Sequence, residues 1–314
     1  MVTAKTQYSL ANAKGYFEEH LCVGDYYDEG QRVSGQWFGA AAEKLGLTGK
    51  VHADDFIRLC DNQHPSNGNQ LTQRLKTSRQ DGNAKAVNRR IFYDFTFSPP
   101  KSASIAAFLG NDNRILDAHG RAVHAALKEF EAFAATRVRR NDTNEDRLTG
   151  NFAAALFTHD TSRALDPHLH THCIVFNATF DPVEKRWKAL QNHELLRARK
   201  FVENAYYHEL ARELQSLGYR IRNRMRGDFQ IEGVGDELCE RFSKRHTEID
   251  QALSKLIEQK PELAGGDLMA MRRLIATAER ARKQRNLNWN ELRRLGGSRH
   301  QWRNRHRQVR PSEW

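Results

Sequence analysis

The chain has 314 residues, enough to bury a sizeable core, and carries 50 Lys and Arg against 39 Asp and Glu, for a formal net charge of +11. That balance favours an anionic partner, and nucleic acid is the commonest for such a protein. Residues 281–314 hold ten basic residues against Glu291 and Glu313, so most of the excess sits in the last tenth of the chain and charge alone locates no site. Cys22, Cys60, Cys173 and Cys239 are too scattered for a zinc finger or a redox pair, which fits reduced thiols in a cytoplasm. The N-terminus lacks the apolar run of a signal peptide, and no stretch reaches the length of a membrane span.

In chain order, residues 11–30 hold Tyr16, Phe17, Tyr26 and Tyr27 among acids. Residues 36–60 are expected to be helical with Phe38, Leu45 and Phe56 as core, and the Asn- and Gln-rich stretch 61–90 to be a loop. Ile91–Phe97 is aromatic and β-prone, and the Ser-Pro-Pro-Lys-Ser that follows suits a helix start. A long amphipathic helix is expected over 112–138, through Leu116, His119, Val123, Leu127 and Phe130. Strands follow at 151–159 and 170–180, with a short one near Trp187–Leu190. A helix from Leu195 to Leu217 should stop at Gly218, a hairpin should turn at Arg226-Gly227, and 236–295 read as helices. The whole is expected to be α+β, a sheet with helices packed on it and a helical C-terminal part.

The sharpest chemical signal is His159, then Asp166-Pro-His168-Leu-His170-Thr-His172. On a strand, His170 and His172 share one face, which Ile174 and Phe176 would continue inward. His159 ends the preceding strand, where an antiparallel neighbour could set it opposite as a third ligand; His168 is expected on the other face or in the turn. Three imidazoles leave open positions on a divalent ion, and imidazole ligation by itself favours zinc, copper, nickel or iron over magnesium. The tyrosines are the second signal, read either as core anchors or as nucleophiles. A phenol with a pKa of about 10 is roughly one part in a thousand ionised at pH 7, so it needs help. Asp94, an acid in an aromatic strand, could accept that proton, orient a ligand histidine, or simply face solvent.

Three segments, Asp94–Ser102, His159–Arg163 and Asp166–His172, together with Trp187–Leu190, His208–Tyr219 and Phe242–Arg245, resemble in order the relaxase domain of MobF-type conjugative relaxases. These are HUH endonucleases, and the likeness spans roughly residues 5–290. The resemblance implies an antiparallel sheet palm carrying the metal site, flanked by helices that clamp single-stranded DNA. It implies nicking and rejoining of one strand at a plasmid origin of transfer, through a 5′-phosphotyrosine. His159, His170 and His172 would hold Mg²⁺ or Mn²⁺, with other divalent ions possible. Tyr16 would be the first nucleophile, and Tyr26 and Tyr27 the pair for a second strand transfer. Phe17 departs from the pattern, standing where many relatives have a second tyrosine.

Arg79, Lys101, Arg163, Lys188, Lys244 and Arg245 fall in matching segments as candidate DNA contacts. The Arg220/Arg222/Arg224/Arg226 hairpin, and a basic tail with Trp289 and Trp302, could add salt-dependent contacts or stacking. Implied partners are hairpin and single-stranded origin DNA, relaxosome accessory proteins and a type IV secretion coupling protein, with no membrane. The expected division is a relaxase domain over 1–295 and a basic tail or linker over 296–314; no Walker motif accompanies them. The alternatives are a rolling-circle replication initiator, a non-catalytic DNA-binding module with a structural metal, and a metal-dependent nuclease that uses water.

Overall fold

A computed structural model describes residues 1–18, 35–73, 78–81, 84–87, 90–140, 143–161, 166–225 and 227–259, and, singly, 271 and 275. Tyr26, Tyr27, Arg163, Arg226 and the expected boundary and tail at 295–314 lie outside them. The chain runs β1 (Val2–Gln7), α1 (Leu10–Tyr16), β2 (Gln36–Phe38), α2 (Ala40–Lys44), α3 (Ala53–Cys60), β3 (Ser78–Asp81), β4 (Ala84–Val87) and β5 (Phe92–Phe97). Then come α4 (Lys101–Phe108), α5 (Arg114–Glu131), β6 (Ala135–Arg140), β7 (Thr143–Leu148), β8 (Ala154–Thr161), β9 (Pro167–Phe176), β10 (Thr179–Asp181), β11 (Arg186–Lys188) and β12 (Leu190–Gln191). The described chain closes with α6 (His193–Ser216), β13 (Ile221–Asn223), β14 (Phe229–Ile231), α7 (Asp236–Arg241) and α8 (Lys244–Gln259).

The expected α+β architecture holds. A five-stranded antiparallel sheet in the order β1-β5-β9-β8-β2 is the centre of the molecule. Its central strands β5, β8 and β9 carry buried apolar residues on both faces, because helices and further chain cover each side over much of their length. Tyr93, Phe95 and Phe97 of β5, with Cys173 and Val175 of β9, face α4, α5 and α6. Helix α5 presents Ile115, Ala118, Ala122, Val123, Ala126, Leu127 and Phe130 to that core at helical spacing, while α6 presents Leu195, Val202, Tyr206, Leu210 and Leu214. On the other face Phe92, Phe157, Ile174 and Phe176 pack with Phe17, Trp37, Phe56 and Leu59.

The expected stop of α6 is met: Leu217 caps the helix and Gly218 follows at φ +95°, while Tyr219 N–H returns to the Leu214 carbonyl at 3.0 Å. The hairpin expected at 219–231 is present as β13 and β14. Its arginines are tied to acids and an amide: Arg224 to Asp236 (2.6 Å) and Arg220 to Glu232 (3.1 Å), with Arg222 donating to Gln230 (3.0 Å).

Four expectations need correction. Residues 36–60 are not all helix, since Phe38 lies on β2, a strand added to the sheet edge. Residues 61–90 contain the hairpin β3-β4 rather than only loop. The helix expected over 112–138 ends at Glu131; Thr136 and Val138 belong to β6, and Leu116 is only half-buried beside fully buried Ile115. The strand expected at 170–180 is two strands, β9 and β10.

Candidate active site

The register of the sheet builds the site. His170 on β9 lies directly opposite His159 on β8, and His172, two residues on, lies opposite Thr96 on β5. Side chains paired across antiparallel strands emerge on the same face, so the three histidines, Thr96 and Asp94 form one polar patch. Just inward on that face, Phe157, Ile174, Phe92 and Phe176 form its apolar floor. The imidazole centroids are 5.3 Å (His159–His170), 5.6 Å (His159–His172) and 5.1 Å (His170–His172) apart.

His168 corrects an expectation. It lies on the same face as His170, as residues two apart on one strand must, and its ring stacks on that of His170 at 4.7 Å.

Two of the ligand candidates have their tautomers fixed by neighbours that can only accept. His170 Nδ1 donates to the His168 carbonyl at 2.8 Å, and His172 Nδ1 donates to the Asp94 carboxylate at 2.9 and 3.0 Å. Each is left with the Nε2 lone pair to offer, the usual arrangement for a metal-binding imidazole. Burial, followed by the charges of His168, His172 and His159, holds the His170 pKa well below the ordinary histidine value. His170 is therefore neutral, the form that ligates.

The donor set fits a divalent ion. With a nitrogen about 2.1 Å from the ion, a ring centroid sits roughly 3.2 Å from it, so rings in tetrahedral directions are about 5 Å apart. The three observed separations match that spacing. Among the described residues no group of His, Cys, Asp or Glu is already closed around one ion-sized point, so the rings must rotate to face an ion.

Tyr16 reaches the patch from the last turn of α1. That helix is capped by Ser9, whose hydroxyl accepts from the Asn12 amide at 3.3 Å. Lys14–Asp61 (2.9 Å) ties it to the end of α3. The phenol donates to Asp94 Oδ2 at 2.7 Å, its ring lies 6.3 Å from that of Phe92, and the His172 ring meets it edge-on at 6.2 Å. Asp94, 4% exposed, thus bridges the nucleophile candidate and a ligand candidate. Burial works to raise its pKa, but His172, the Tyr16 hydroxyl and Lys5 outweigh it and leave the carboxyl below its usual value. Asp94 is ionised, and of the readings left open for it, facing solvent is excluded.

Phe17 points the other way, into the core. It is 4% exposed, stacked on Phe56 at 4.3 Å and set edge-on to Phe157 at 5.9 Å. A tyrosine hydroxyl there would be buried among rings, which explains why phenylalanine serves at this position.

The basic candidates divide. Arg163 and the side chains of Arg79, Lys244 and Arg245 lie outside the described residues. Lys101, at the start of α4, donates from Nζ to the Pro167 carbonyl at 3.0 Å, so it braces the first residue of the histidine strand. Lys188 is 2.8 Å from Glu184 and 3.6 Å from Asp181, with Arg147 also on Asp181 (2.7 Å). Both lysines are engaged within the protein. Sequence reasoning missed Thr96, which lies 3.2 Å from His172 Nδ1, and Lys5, whose Nζ stands 5.3 Å from the Tyr16 ring centroid. Only the alternation of an unrecognised strand, β1, could have pointed to Lys5.

With this geometry, a family model described as TrwC relaxase matches residues 10–309. The chain belongs to the TrwC relaxase family. The multifunctional conjugation protein TraI of Escherichia coli is 36% identical over 274 residues, covering 84% of this chain. The chain spans 14% of that protein's length. A solved structure of the conjugative relaxase TrwC with oriT DNA, metal-bound, is 32% identical with a TM-score of 0.69, covering 88% of this chain and 96% of that one. TrwC with a 27-mer DNA comprising the recognition hairpin and the cleavage site is 30% identical with a TM-score of 0.67, covering 90% of this chain and 98% of that one. The relaxase fold is therefore common to all of them. Among the described residues of this family member, no helix is long and apolar enough to cross a membrane.

Proposed function

We propose that this chain nicks and rejoins one DNA strand at a plasmid origin of transfer, starting and ending conjugative transfer. The reading is carried by one observation: the Tyr16 hydroxyl and the His172 ring both bond to the same buried carboxylate, Asp94, beside His159 and His170. In the forward step Tyr16 Oη bonds to phosphorus as its proton passes to Asp94. The P–O3′ bond breaks, and O3′ leaves with the electron pair and takes a proton from solvent. The products are a 5′-phosphotyrosine and a 3′-hydroxyl, and the reverse step reseals the strand.

Asp94 is too weak a base to ionise a free phenol, so its proton transfer is coupled to bond formation. It also holds His172 in the ligating tautomer. A divalent ion held by His159, His170 and His172 would polarise a phosphoryl oxygen and offset its charge. We assign Mg²⁺ or Mn²⁺ as the working ion on the family resemblance, with other divalent ions accepted; the metal-bound TrwC structure supports a metal here.

We assign a second strand transfer to Tyr26 and Tyr27. Hairpin and single-stranded origin DNA are the substrate, supported by the TrwC complexes. Arg79, Arg163, Lys244 and Arg245 are proposed DNA contacts, and Lys101 and Lys188 act there only if DNA displaces their present partners. Relaxosome accessory proteins, a type IV coupling protein and a bacterial cytoplasmic location complete the reading.

The test uses labelled single-stranded oligonucleotides from transfer origins with Mg²⁺ or Mn²⁺, resolved on a denaturing gel. A slow-migrating protein–DNA adduct lost in Tyr16→Phe and His170→Ala supports the assignment. Adduct that persists in Tyr16→Phe but disappears in Tyr26→Phe moves the chemistry to the later pair. Tight binding without adduct favours a non-catalytic module, and free 5′-phosphate ends a water-using nuclease.

A further inference from the structure

Among the described residues, strand β1 forms an edge of the central sheet and pairs with β5 alone, with Lys5 directly opposite Asp94. Its alternation decides which side chains enter the site. Val2, Ala4 and Thr6 lie opposite Phe97, Phe95 and Tyr93, on the face that packs on the helices. Thr3, Lys5 and Gln7 therefore share the face of Thr96, Asp94 and Phe92, which is the face of the histidines. The order across the sheet is Lys5 on β1, Asp94 on β5, His172 and His170 on β9, and His159 on β8. Tyr16 stands over this row: its hydroxyl is on Asp94, and the Lys5 ammonium is 5.3 Å from its ring centroid.

We propose that Lys5 is a phosphate-positioning residue, which holds a non-bridging oxygen of the scissile phosphodiester from the side of the nucleophile opposite the histidines. The inference rests on the nicking function proposed above. The electrostatic reason is local. The Asp94 carboxylate lies 2.7 Å from the attacking oxygen, and its charge would repel an incoming phosphodiester. His172 donates its Nδ1–H to Asp94 and keeps Nε2 for an ion, so it has no donor to turn toward the phosphate on that side. Lys5 is exposed on the open edge of the patch, and its flexible stem ends in a compact ammonium with three donors. It can offset Asp94 as the phosphate arrives, and offset the charge that builds on the non-bridging oxygens as Oη–P forms and P–O3′ breaks.

The experiment compares Lys5→Met, Lys5→Arg and Lys5→Glu with the unaltered chain. The probe is whichever labelled transfer-origin oligonucleotide the unaltered chain cleaves with Mn²⁺. Single-turnover adduct formation at saturating DNA is measured apart from the concentration giving half-saturation, with thermal melting as the check on folding. Lys5→Met should slow the saturated rate on the order of tenfold, with half-saturation changed less than about threefold. Lys5→Arg should recover most of the rate, and Lys5→Glu should be slower than Lys5→Met. A saturated rate in Lys5→Met equal to the unaltered chain overturns the inference, as does a loss confined to half-saturation. Slow reaction in Lys5→Arg as well, accompanied by earlier melting, reduces Lys5 to a structural role and overturns it too. If the unaltered chain forms no adduct with any origin, the nicking function fails first, and the inference fails with it.

Discussion

Asp94→Asn tests the centre of the site with almost no change of shape. The carboxylate accepts from Tyr16 at 2.7 Å and from His172 at 2.9 Å in a nearly closed environment. Bonds to an ionised acceptor are worth about 1.5–3 kcal/mol, against about 0.5–1.5 for a neutral one. An asparagine keeps one acceptor oxygen, so one of its two bonds becomes neutral and the other meets an amide donor. Summed over the two, roughly 2.5–4.5 kcal/mol is lost, equal to about 70- to 2,000-fold where all of it falls on the rate. Part of the loss falls on metal affinity, because His172 is no longer held in one tautomer; supporting partners of ligand histidines typically contribute 10- to 100-fold. The assay is single-turnover adduct formation at saturating Mn²⁺, with calorimetric titration of the metal alongside. Adduct formation within about threefold of the unaltered chain at saturating metal would refute the reasoning, since it would mean that Asp94 neither takes the proton nor fixes the ligand.

Three further outcomes follow from the same contacts. Phe17→Tyr should lower stability by about 1–3 kcal/mol, because its hydroxyl enters the Phe56 and Phe157 cluster without a partner; urea unfolding measures this, and Tyr16→Phe/Phe17→Tyr should remain without adduct. His119 is fully buried, with Nδ1 on Tyr206 at 2.7 Å and Nε2 on Thr171 at 2.8 Å, and burial lowers its pKa to about 3. The unfolded chain binds a proton near pH 6.5 while the folded one does not, so the neutral form's stabilisation is complete above that pH. It is lost at roughly 1 kcal/mol per unit as pH falls toward 3, and His119→Gln should flatten the urea midpoint between pH 7 and 4.5. Chelation with EDTA should abolish adduct while leaving hairpin binding measurable by fluorescence anisotropy, because DNA grip and strand transfer use different residues; persistence of adduct would remove the metal from the reaction.

The residues themselves determined a good deal. The aromatic, β-prone run Ile91–Phe97 and the stretch from His170 marked two central strands, and Gly218 marked the end of α6, because β-propensity and a left-handed cap are written locally. The i, i+2 spacing likewise put His170 and His172 on one face. Local signals also misled: β6 continues the apolar spacing of α5, and β2 follows no strand-like run, since pairing with β7 and β8 supplies what their own sequences lack. The site itself was a matter of register. That His159 meets His170, that Asp94 faces both Tyr16 and His172, and that Lys5 stands opposite Asp94 depend on how strands distant in sequence align. A slip of one residue would have turned each side chain to the other face, and only the packed sheet, with Phe92, Phe157 and Phe176 buried beneath the site, decides against it.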